Sequence, residues 1–143
     1  MNFAPDQFEL ADATETRTAS LRAKWGDAVG EGSGWVAVPL PLLRLQVKLG
    51  LTPTDMMVLI NLLAHWWNPL APVFPRTSTI ARRMGVNDRT IQRSMSRLVR
   101  QGLAERGSDE RGRRTYQFNG LVKRLNRDLP AAMRLAGTES LDV

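Results

Sequence analysis

Cysteine is absent from the 143 residues, and there is a single histidine and a single tyrosine. Without thiols there is no disulfide framework, no thiolate metal site and no cysteine nucleophile, and His65 has no second histidine with which to share a metal. No cofactor signature accompanies them. Long apolar runs are missing too: the most apolar segment, Met56 to Trp67, is too short and isolated to span a bilayer. Met1 to Leu10 carry Asp6 and Glu9 with no basic start, so neither a signal peptide nor a membrane anchor is expected, and a cytoplasmic location follows. Lysine is scarce as well, occurring only at positions 24, 48 and 123.

What is present is arginine, and it is unevenly spread. From Met1 to Gly34 six acids face three bases, whereas from Arg76 to Asp128 fourteen bases face five acids, within a chain of formal charge +6. Arginine's planar fork suits phosphate and guanine, so the local excess points to an anionic polymer. Residues 1–33 lack a sustained apolar period and run into Gly30-Glu31-Gly32-Ser33-Gly34, which reads as a flexible arm. A domain over 34–128 and a tail over 129–143 are expected. Trp35 to Val38 reads as a short strand or extended entry, and Leu40 to Leu49 as an amphipathic helix closed by Gly50.

Thr52-Pro53-Thr54-Asp55 carries an N-cap, a first-turn proline and the acid of a capping box. The helix it starts should run through Met56 to Trp67 until Asn68-Pro69 stops it. Val73-Phe74 is a candidate small strand. Ala81, Gly85 and Ile91 then show the spacing of a helix-turn-helix: a small residue at the crossing, a glycine able to take positive φ, and an apolar plug for the second helix. Asn87 caps that second helix, about Asp88 to Gln101, and Gly102 closes it. Ile91, Met95 and Leu98 share its inner face, and Arg89, Arg93, Ser96, Arg97 and Arg100 the outer one, with Thr90 and Gln92 at the margins. Two short strands around Gly107 to Gly112 should form a basic hairpin, with Tyr116 and Phe118 packed on the core.

From Leu51 to about Phe118 the chain resembles the winged helix-turn-helix domains of bacterial transcription regulators and of phage and plasmid replication proteins. Phe74-Pro75-Arg76-Thr77-Ser78-Thr79-Ile80-Ala81-Arg82-Arg83-Met84-Gly85-Val86 and Asp88-Arg89-Thr90-Ile91-Gln92-Arg93 are the most similar stretches. The expected fold is mainly α with a small β-hairpin. Ser94 departs from the pattern, since many such motifs place a larger apolar residue there, and Met95 and Leu98 must supply that packing.

Double-stranded DNA is the expected partner. Base readout is assigned to Arg89, Thr90, Gln92, Arg93 and Arg97, because arginine and glutamine can bind guanine and adenine edges with two hydrogen bonds. Backbone contacts are assigned to Arg76, Thr77, Ser78, Arg82, Ser96 and Arg100, and the wing over 104–118 is expected to bring Arg111, Arg113 and Arg114 to the backbone or to an adjacent minor groove. Leu121, Val122, Leu125, Leu129, Met133 and Leu135 form an apolar stripe interrupted by Pro130 that can pack back on the domain or on a second copy. Because two-fold partners match paired half-sites, a homodimer on DNA is expected, with the arm or a C-terminal helix open to a protein partner. A transcription regulator is the leading reading. A plasmid or phage replication initiator or accessory factor is the alternative within the fold, and a winged helix used for protein assembly the alternative outside DNA binding. The enzyme reading has little support: His65, beside Trp66 and Trp67, reads as a packed histidine, without paired carboxylates or a glycine-rich phosphate loop.

Overall fold

Thr52 begins the central helix as its neighbours dictate. Its side chain accepts the Asp55 amide at 3.1 Å while the Asp55 carboxylate accepts the Thr52 amide at 3.3 Å, a complete capping box. A computed structural model describes residues 16, 17 and 19–141, with side chains to residue 139. The chain divides into two compact units, Met1–Val36 and Ala37–Val143. In the first, residues 19–25 are helical and a 3₁₀ turn follows at Gly26–Ala28; the first fifteen residues of the expected arm lie outside the described residues.

The second unit contains helices α1 (Leu40–Arg44), α2 (Pro53–Leu63), α3 (Thr77–Met84) and α4 (Asp88–Arg100), strands β1 (Glu105–Ser108) and β2 (Arg114–Gln117), and helices α5 (Asn119–Arg127) and α6 (Leu129–Leu141). The strands pair antiparallel, with Arg106 opposite Tyr116 and Ser108 opposite Arg114. Val73 exchanges two backbone hydrogen bonds with Tyr116, at 2.9 and 2.8 Å, so the proline-rich segment before α3 is stitched to the outer edge of the hairpin. This is a winged helix-turn-helix: mainly helical, with one hairpin beside the second helix of the motif.

One apolar core joins every element of this unit except β1. Leu42, Leu59, Leu62, Ile80, Ile91, Leu98 and Leu103 are fully buried, and Tyr116 and Phe118 pack among them. Gly85 holds the α3–α4 turn at φ 67°, a left-handed conformation that side chains disfavour, and Ala81 is buried in the helix that the turn ends. Asn87 Oδ1 accepts the Thr90 amide at 2.9 Å and the Thr90 hydroxyl at 3.0 Å. Replacing Asn87 with Ala should cost about 1 kcal/mol, measurable by urea unfolding; no loss would show that water serves the first α4 amides equally well.

Several boundaries differ from expectation. α1 is one turn long, and residues 45–50 continue as turns. Residues 35–39 belong to no helix or strand. α2 stops at Leu63, four residues early, because the His65 and Trp66 amides bond to the carbonyls of Leu62 and Leu63 in tighter turns. Trp66 swings back to meet the Phe118 ring at 5.3 Å, and His65 is exposed rather than packed inside a helix. Residues 129–143, expected as a tail, contain α6, with Pro130 in its first turn where the missing amide costs little. α6 packs on α1 and is tied to it by the Arg44 to Glu139 ion pair at 2.9 Å.

Candidate nucleic-acid interface

α4 is buried along Ile91, Ser94, Met95 and Leu98. That leaves Arg89, Gln92, Arg93 and Arg100 in solvent, with Thr90, Ser96 and Arg97 half-buried at the edges. Two depressions flank its outward surface. A shallow one of about 480 Å³ is lined by Arg89, Gln92, Arg93, Ser96, Arg97 and Arg100. A larger cleft of about 1150 Å³ lies between α4, the start of α3 and the wing. It collects Arg76, Thr77, Ser78, Gln92, Ser96, Arg113 and Arg114 from the expected residues. Gln92 and Ser96 border both, so they form one continuous surface. Arg82 and Arg111 are exposed but border neither depression, and Thr90 is engaged by the Asn87 cap.

The start of α3 faces this cleft without a side-chain cap, because its N-cap is Arg76. Its first amides and the positive end of the helix dipole therefore add to the arginine charge there. Among the described residues, Arg76, Arg89, Arg93, Arg100, Arg111 and Arg114 have no acidic partner. Every basic side chain bordering the two depressions, apart from His65, is an arginine. Partial desolvation against its neighbours and the nearby positive Arg83 hold the imidazole of the exposed His65 below its ordinary value.

Arg97 sits differently from its neighbours. Its Nη2 reaches Asp55 Oδ1 at 2.7 Å and its Nε the same oxygen at 3.1 Å, and the Ser94 hydroxyl donates to that oxygen at 2.6 Å. Asp55 is fully buried. Burial pushes its carboxyl up, but the bonds from Arg97, Ser94 and Thr52 together outweigh this and leave it below the ordinary aspartate value. The small Ser94 thus makes room for a polar bond between α2 and α4, at the position that departs from the expected apolar pattern.

Sequence reading missed Arg106 and Phe74. Arg106 reaches from β1 to the Ser96 hydroxyl at 3.4 Å and lies over the Tyr116 ring at 5.9 Å. The period of two that pairs it with the buried Ala104 would have put it on the α4 side of the hairpin. Phe74 is half exposed, and its ring carries the Arg113 guanidinium at 4.5 Å. Nothing local marks that contact, since it joins residues 39 positions apart.

Residues 49–104 match the model of a family described as a helix-turn-helix domain. No curated protein matches the sequence. Among solved structures, the YusO protein from Bacillus subtilis is similar at 19% identity and a TM-score of 0.46, covering 96% of this chain and 84% of its own. RV1404 from Mycobacterium tuberculosis shows 18% identity and a TM-score of 0.46, covering 97% and 82%. A probable transcriptional regulator from Pseudomonas aeruginosa shows 23% identity and a TM-score of 0.37, covering 71% and 83%. Likenesses this loose assign no target. Among the described residues no helix is long and apolar enough to cross a membrane, and no group of acids and histidine could hold a metal.

Proposed function

We propose that the protein is a transcription regulator that binds duplex DNA, with the first half of α4 in the major groove and the wing along the sugar-phosphate backbone. The observation that carries this reading is the arginine surface of α4, where Arg89, Arg93 and Arg100 have no acidic partner among the described residues, continuous with an uncapped helix start and a basic wing on the same side. Buried against protein, such a surface would need a matching set of carboxylates to offset the cost of uncompensated charge, whereas a polyanion supplies that charge along its whole length. Arg89, Gln92 and Arg93 occupy the first two turns of α4 and serve as base readers. Arg76, Thr77, Ser78, Arg100, Arg111 and Arg114 serve the phosphates, and Arg97, held by Asp55, joins α4 to α2.

Readers and anchors fail differently. Arg93→Ala should cost about 1–3 kcal/mol on a selected site and relax preference at one base pair. Arg114→Ala should weaken selected and random duplexes alike and lower the slope of log affinity against log salt by about one unit. A salt titration of both variants on both duplexes reads these outcomes. Unchanged binding by both would remove the duplex reading and favour protein assembly. The reading includes a two-fold dimer on half-sites about 34–36 Å apart, supported by exposed Leu129 and Met133 on α6 and Leu40 and Leu43 on α1. Sedimentation of the free protein and of its DNA complex tests that part.

A further inference from the structure

The wing carries an internal lock. The Asp109 carboxylate accepts the amides of Arg111 at 2.9 Å and Arg113 at 2.8 Å, and the Arg113 Nε at 2.6 Å. Burial pushes that carboxyl up, but the bonds to Arg113 and Arg111 prevail and hold it below its ordinary value. The guanidinium so held lies over the Phe74 ring, its Cζ 4.5 Å from the ring centroid. Phe74 follows Val73, whose two backbone bonds to Tyr116 clamp the same segment to β2. Arg113 is therefore engaged through its Nε and one face of its guanidinium, while its neighbour Arg114, which borders the same cleft, has no acidic partner among the described residues.

We propose that Arg113 is a positioning residue: with Asp109 and Phe74 it braces the wing tip against the segment leading into α3, so that Arg114 meets the duplex from a rigid support. This rests on the duplex-binding reading above. A loose hairpin would have to be ordered on binding, and ordering costs affinity, so a braced one binds more tightly. The brace also gives Asp109 a role opposite in sign to its charge. An acid near phosphates should repel them, and its removal should tighten binding if charge alone mattered.

The test uses the full chain and a short random-sequence duplex. Asp109→Asn and Phe74→Leu should each weaken binding about two- to fivefold, the scale of an exposed cation–π contact, whereas Phe74→Trp, which keeps a ring under the guanidinium, should retain parental affinity. Arg113→Gln should weaken binding while changing the salt slope by much less than the roughly one unit lost with a phosphate contact. Thermal midpoints should stay close to the parent, since the wing tip lies outside the core. Tighter or unchanged binding by Asp109→Asn, or a full unit of slope lost in Arg113→Gln, would overturn the brace and make Arg113 a phosphate contact. Those results leave the duplex reading intact. Failure of the parent protein to bind any duplex would instead remove both.

Discussion

Asp55→Ala should destabilise the protein by about 3 kcal/mol, the largest effect expected from a single polar substitution here. Three interactions go together: half of the α2 capping box, the Ser94 hydroxyl's buried partner, and the carboxylate facing Arg97. The loss stays at the low end for breaking a buried pair because the Arg97 side chain, 35% exposed, can turn to water. A loss of this size should lower the midpoint of thermal unfolding by roughly 10–20 °C. The pH dependence follows from the depressed carboxyl. Its stabilising contribution is complete above the ordinary aspartate value near 3.8 and is lost as pH falls through the lower folded value. Asp55→Asn should therefore flatten the acid limb of the stability curve below about pH 4. An unfolding midpoint within one or two degrees of the parent in Asp55→Ala would sink this account.

Gly120→Ala should destabilise by about 3 kcal/mol, at the upper end for overpacking. The glycine lies in the first turn of α5, and an added Cβ would overlap the carbonyl of Gly102, a backbone atom that cannot rotate away. Its amide also points at the Glu105 carboxylate, 3.3 Å from both oxygens. To fit a methyl group, α5 must lift from the turn that ends α4, uncovering Leu121 and Leu125. Gly137→Ala, in open space on α6, is the matched control and should be neutral or slightly stabilising. Equal stability of the two variants in denaturant titrations would show that α5 is not seated against Gly102.

How much of this was legible in the sequence depended on how far apart the partners lie. The Thr52 box, the Gly85 turn and the Asn87 cap are settled within a few residues, and all three form as their local chemistry requires. Ile91, Met95 and Leu98 were readable because a helical period reports burial directly. The end of α2 was not, since Trp66 leaves the helix to meet Phe118, a ring 52 residues on. Ser94 read as a defect in the packing pattern because its partner, Asp55, is 39 residues away. For the same reason Arg97 looked like another member of the outer arginine face. Composition could mark the cationic surface but not which of its guanidinium groups were already engaged.

The arginine monopoly of this surface also has a chemical consequence. Side-chain amines occur only at Lys24, Lys48 and Lys123, none of which borders either depression. Acylating reagents, whether a cell's acetyl donors or an activated ester on a sensor chip, find no lysine target on α4 or the wing. The charge presented there cannot be reduced by lysine acetylation. It can be altered at arginine, where methylation keeps the charge and removes hydrogen-bond donors. Protein coupled through its lysines should accordingly keep the α4 and wing surface chemically untouched.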